Sequence, residues 1–145
     1  MRNNPLNLKF IPSPLSITGF IISIIITTFL FFGRRDTNIR VGFFSAHFTD
    51  FYHHISNFTI SYNLFATISL LWLAMGLRFK NILWLGAFFI LANFLIEMFV
   101  HVLNTPDITD AYYGTAGVAA GLVFLFFVKA FGLIKYPVAP ERKVQ

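Results

Sequence analysis

The sequence predicts an all-α integral membrane protein: one domain over residues 1–145, built as a four-helix bundle with a longer first connection. Three observations carry this. Of the 145 residues, 57% are hydrophobic and only 12% are charged, about half the charge a soluble domain uses to wet its surface. Twenty are phenylalanine, more than an aqueous domain of this size could bury. Four apolar runs also approach the roughly 20 residues needed to cross a hydrocarbon core of about 30 Å.

The first run spans 14–32 and ends at Gly33-Arg34-Arg35. Arg2 and Lys9 precede it as basic residues precede a signal peptide. It is longer than a signal segment and lacks a small-residue cleavage site, so a retained helix is predicted. The first connection, 33–58, carries Val41-Gly42-Phe43-Phe44, Phe48, Phe51 and Tyr52. That density of aromatics predicts a segment that lies in the interface or re-enters the bundle. The second run spans 59–77 and ends at Arg78-Phe79-Lys80. The third spans 81–103 and is closed by Asn104-Thr105-Pro106-Asp107. The fourth spans 111–134, followed by Lys135 and Pro137. Backbone in lipid must satisfy its own hydrogen bonds, so each run is expected to be helical.

The net charge is +5. Its basic residues sit at the ends of apolar runs and form no stripe among exposed aromatics, so a nucleic-acid partner is not expected. Eight Lys and Arg fall at the amino end, the second connection and the carboxyl end, against Arg34, Arg35 and Arg40 in the first connection. This bias places both termini in the cytoplasm, with a bacterial inner membrane as the expected location. Membrane lipids, and other membrane subunits, are the expected partners. The absence of cysteine excludes disulfides, thiolate metal sites and thiol catalysis.

Polar residues at membrane depth are the most informative. Asn93, Glu97 and His101 are spaced four apart, which keeps them on one helical face. A carboxylate at that depth must face the protein interior, find a partner or be protonated. In the predicted topology, Asp50 and His54 before the second helix and Asp107 and Asp110 before the fourth come to the same side. Asp50, His54, Asn93, Glu97, His101, Asp107 and Asp110 are therefore the candidate ligand-binding or functional cluster. The plainer reading is a polar seam and a hydrated rim. Imidazole and carboxylate together could hold a metal, with His47, Asp50 and His54 as weak candidates. The spacing matches no zinc motif, and no cofactor is expected.

The fourth helix opens with Gly114, Gly117 and Gly121 among alanines. Gly117 and Gly121 form a G-x-x-x-G pair, which lets backbones approach closely, here toward another helix of the same chain. No phosphate-cradling glycine loop, G-x-S-x-G elbow or H-E-x-x-H is present, so soluble-type hydrolase chemistry is not predicted.

At Asp107-Ile-Thr-Asp110-Ala-Tyr-Tyr-Gly114-Thr-Ala-Gly117-Val-Ala-Ala-Gly121 the sequence resembles the VanZ-like family of small membrane proteins. Asp50-Phe-Tyr-His53-His54 and Glu97 are similar to that family's Asp-x-x-x-His and to its acidic residue late in the third helix. The likeness covers about Asp50 to Gly121. The chain departs from the family pattern at Val100, at Asn104-Thr105-Pro106 and at Gly114, where a Gln, an Arg and an Asn are usual. The resemblance implies a four-helix membrane protein of a family linked to resistance to the glycopeptide teicoplanin, with an amphiphilic lipid or glycopeptide-like ligand at the extracytoplasmic side. Two other readings stay open: a non-catalytic subunit of a larger membrane complex, and a membrane enzyme or proton- or ion-handling protein using the outer Asp/Glu/His cluster. An enzyme is the less expected outcome.

Overall fold

A computed structural model of the chain describes residues 8–48, 50–99 and 107–136. Among them are five α-helices, one 3-10 turn and a two-stranded ribbon. Helix α1 (Pro14–Phe32) starts where Ser13 accepts a hydrogen bond from the Ser16 amide through its hydroxyl. Pro14 follows at the position where a missing N–H costs nothing. After α1, Asp36 caps a 3-10 turn over Thr37–Ile39 by accepting from the Asn38 amide, and the short α2 spans Gly42–His47. Three long helices follow: α3 (Phe51–Ala74), α4 (Phe79–Phe99) and α5 (Ile108–Phe131).

The observed bounds correct the hydropathy reading in three places. Helix α3 begins at Phe51, not near 59. Its first turns carry His53, His54, Ser56 and Asn57, which lower hydropathy, yet His54 and Ser56 are buried against the bundle. Helix α5 begins at Ile108 because Asp107 accepts from the Thr109 amide and caps it. It stops at Phe131, ahead of Gly132, so residues 133–135 are not helical. Helix α4 spans Phe79–Phe99; positions 100–103 of the predicted third helix lie outside the described residues.

The chain is also not purely α-helical. Strand β1 (Phe10–Pro12) pairs antiparallel with β2 (Leu133–Lys135), Phe10 opposite Lys135 and Pro12 opposite Leu133. The ribbon ties the start of α1 to the end of α5. Nearby, the Lys9 amide donates to the Ala74 carbonyl at 2.9 Å and the Ser13 amide to the Gly132 carbonyl at 2.7 Å. Three bases therefore gather at this ribbon end: Lys9, Lys135, and Lys129, whose ammonium sits 4.8 Å from the Phe79 ring centre. The first connection and the amino ends of α3 and α5 form the opposite end.

Helix α3 is central. It packs against α1 on one side and α5 on another, and also meets α4. The core is Phe65, Leu73, Ile82, Val118, Leu125 and Val128. Helices α1, α4 and α5 are each long and apolar enough to cross a membrane. Central α3 falls outside that group because it carries buried polar groups at Ser56, Thr59, Ser61 and Ser69. The outward faces are apolar: Trp84 is 67% exposed and Phe131 83%. An aqueous domain would bury such side chains, whereas lipid would cover them.

Candidate functional site: a polar mouth beside an aromatic cleft

The site is built where the amino ends of α3 and α5 meet the carboxyl part of α4. His54 sits in the first turn of α3 and Asp110 in the first turn of α5. Their side chains are buried and meet with Nδ1 2.8 Å from Oδ1. An ionised carboxylate can only accept, so Nδ1 carries the proton and donates. The imidazole is thereby held in one tautomer, leaving Nε2 as its second functional nitrogen.

Asp107 extends the group. Its Oδ2 lies 3.8 Å from His54 Nδ1, while its Oδ1 accepts from the Thr109 amide at 2.9 Å. The Thr109 hydroxyl and then its amide hold the Asp107 carboxyl below the ordinary value of 3.8, with a smaller contribution from His54. Both aspartates also stand at the amino end of α5, the positive end of the helix dipole, which favours negative charge there. Glu97 joins from α4, its Oε2 accepting from the Asp107 amide at 3.3 Å. Glu97, Asp107, His54 and Asp110 thus form one continuous group across three helices.

One turn deeper on α4, Asn93 serves the packing seam instead. Its Oδ1 accepts from the Ser61 hydroxyl at 3.0 Å, and its Nδ2 is buried with no partner among the described residues. The amide fills the space beside Gly114, where an added Cβ would stand 2.5 Å from Asn93 Cγ. An Asn side chain from α4 thus stands directly against position 114 of α5. Gly117 and Gly121 meet α3: a Cβ at Gly117 would strike the Phe58 carbonyl, and one at Gly121 would lie 2.8 Å from Phe65.

Asp50 precedes α3, is exposed and makes no capping bond. His47 is exposed on α2, stacked 4.6 Å from Phe43, with Nδ1 3.0 Å from the Phe43 carbonyl. The weak metal set of His47, Asp50 and His54 is not assembled. Among the described residues no three His, Asp or Glu side chains are placed to hold a metal ion. His101 lies outside the described residues.

Beside the polar mouth opens a cleft of about 410 Å³ lined by Phe44, Phe48, Phe51, Phe58, Tyr112, Tyr113 and Ala116. Tyr113 belongs to both, since its ring centre lies 5.3 Å from that of His54. Phe44 and Phe51 stack at 4.3 Å with their planes 7° apart, fixing α2 against α3. The sequence signals this wall only as aromatic density over 43–52. Its joining to Tyr112 and Tyr113 of α5 has no local signature. Compared with known proteins, the chain matches no family model, no curated protein and no solved structure.

Proposed function

We propose that this chain is a four-span protein of the bacterial inner membrane that binds an amphiphile at the end holding His54 and Asp110. The apolar portion of the ligand lies in the aromatic cleft, and its polar head meets the His54, Asp107, Asp110 and Glu97 group. The observation that carries the reading is that Tyr113 is at once a wall of the cleft and a neighbour of the His54 ring. Apolar recognition and directional polar recognition are therefore contiguous, as a ligand site requires. The head-group chemistry follows from the donors and acceptors present. Three carboxylates and one imidazole suit a head rich in hydroxyl or amine donors. The likeness to VanZ-like proteins over Asp50 to Gly121 supports the same reading, including an extracytoplasmic mouth. Helix α3 serves as the fourth span, its polar residues shielded by α1, α4 and α5.

Mass spectrometry of the gently solubilised protein tests this. The wild type is expected to carry an amphiphile that the Phe51→Ala/Tyr113→Ala variant loses. Equal retention by both would sink the reading.

A second reading, proton handling, is favoured by one observation: the His54 imidazole stands beside two carboxylates, its Nδ1 2.8 Å from Asp110 Oδ1 and 3.8 Å from Asp107 Oδ2. It requires that Glu97→Gln and His54→Ala change proton flux in reconstituted vesicles, and unchanged flux would end it.

A further inference from the structure

A second groove lies on the opposite flank of α3 from the mouth, between α3 and α1. It measures about 300 Å³ and is lined by Thr28 and Phe31 of α1 and by Thr59, Ile60, Asn63 and Leu64 of α3. Its floor is held by hydrogen bonds that join the two helices. The Thr59 hydroxyl donates to the Thr27 carbonyl at 3.1 Å, and the Thr27 hydroxyl meets Asn63 Oδ1 at 3.1 Å. With those groups engaged, the open surface is almost wholly hydrocarbon.

At its upper end the groove meets a cation. Thr28, Phe31 and Arg34 follow one another three residues apart, as do Ser56 and Thr59, so each helix carries its wall up to the same point. There Arg34 Nη1 donates to the Ser56 hydroxyl, one turn of α3 before Thr59 of the groove wall. A guanidinium has five N–H donors, and this bond uses one. Arg35 follows directly. Arg40 is held close by, its Nε donating to the Gly33 carbonyl at 2.8 Å and its guanidinium resting 4.9 Å from the centre of the Tyr52 ring. Among the described residues none of the three arginines forms an ion pair. Asp36, the acidic residue of this stretch, is engaged as a cap on the Asn38 amide.

An apolar channel between two membrane helices, ending under unpaired arginines, is complementary to a single-charged phosphate ester with a hydrocarbon chain. We propose that the α1/α3 groove binds an anionic phospholipid, with an acyl chain along Phe31, Ile60 and Leu64 and its phosphate on Arg34 and Arg35. Arg34 and Arg35, at the end that the positive-inside bias assigns to the outside, then have a role: they hold lipid phosphate. The site rests on the membrane-spanning reading of α1 and α3 but not on the amphiphile mouth.

The test uses the full chain in a non-ionic detergent, with phosphatidylglycerol and phosphatidylcholine of identical acyl chains as probes. Thermal unfolding and native mass spectrometry are the readouts. The wild type should retain phosphatidylglycerol several-fold over phosphatidylcholine and unfold at a higher temperature in its presence. Arg34→Gln/Arg35→Gln should abolish the preference. Ile60→Trp, which fills the groove and spares the arginines, should reduce retention of both lipids. If the double arginine variant does not fold, Arg35→Gln alone and Ile60→Trp carry the test. Phe51→Ala/Tyr113→Ala should leave the preference intact, which separates this site from the mouth. Equal retention of the two lipids by the wild type, unaltered retention in Ile60→Trp, or a stabilisation reproduced by inorganic phosphate would overturn the proposal.

Discussion

His54 and Asp110 are 56 residues apart in the chain, yet they meet in a buried hydrogen bond of 2.8 Å that joins the first turn of α3 to the first turn of α5. Removing either partner leaves the other poorly matched in a low-dielectric site. His54→Ala is expected to lower stability by about 1.5–3 kcal/mol, the range for a hydrogen bond to a charged group. In a double-mutant cycle with Asp110→Ala, the two losses should be non-additive by about 1 kcal/mol or more. Thermal unfolding of the four proteins in detergent measures this, and strict additivity would show that the pair is uncoupled.

Asn93 and Gly114 share one space. Gly114→Ala drives its methyl into the Asn93 amide, and overpacking of this kind costs about 1–3 kcal/mol. Shortening Asn93 makes room, so Asn93→Ala/Gly114→Ala is expected to be more stable than Gly114→Ala alone. Unfolding temperatures of the single and double variants decide the point. A double variant weaker than Gly114→Ala would mean the two sites do not compete for the same volume.

The contact between Gly117 and the Phe58 carbonyl is backbone against backbone and cannot yield by a rotamer change. Gly117→Leu should separate α3 from α5 and cost at least about 2 kcal/mol. Tyr112→Leu, on an exposed position of the same helix, should leave unfolding nearly unchanged. Similar melting of the two variants would refute the close approach.

Asp107 supplies a pH dependence with a definite sign. Its carboxyl is held below the ordinary 3.8 by Thr109, so the folded state favours the ionised form. The associated stabilisation is complete above the ordinary carboxylate range and is lost as pH falls through the lowered value. As pH falls below the ordinary carboxylate value, the wild type should therefore lose stability more steeply than Asp107→Asn. Parallel acid unfolding curves for the two proteins would remove Asp107 from that dependence.

Because the chain contains no cysteine, single-cysteine variants report topology without a background. Asp50→Cys and Ile108→Cys are both exposed positions at the end opposite the ribbon, and Lys135→Cys lies at the ribbon. In sealed vesicles a membrane-impermeant thiol reagent should label the first two from one side and the third from the other. Labelling of 50 and 108 from opposite sides would overturn the proposed four-span arrangement.

Some of this was readable along the chain. Apolar runs of spanning length and the small-residue face at Gly117 and Gly121 are local patterns, and each points to its local consequence. The polar mouth was readable in part. Asp107, Asp110, His54 and Glu97 were identifiable as polar groups with no reason to be where they are. His47 carried the same signal yet stacks on Phe43 of α2, because composition marks a residue's chemistry and not its direction. Hydropathy placed the start of α3 too late for a related reason: it scores a buried histidine or serine as though water surrounded it.

By itself, the sequence determined the solvent this protein is made for and the spacing of its helices, because hydrocarbon length and backbone hydrogen bonding act over contiguous residues. Tertiary structure alone decided which polar groups pair, that β1 and β2 close the ends of α1 and α5, and that aromatics of α2, α3 and α5 share one cleft. Those outcomes depend on contacts between residues distant in sequence, such as the Asn93 amide filling the space that Gly114 leaves open, which no local pattern records.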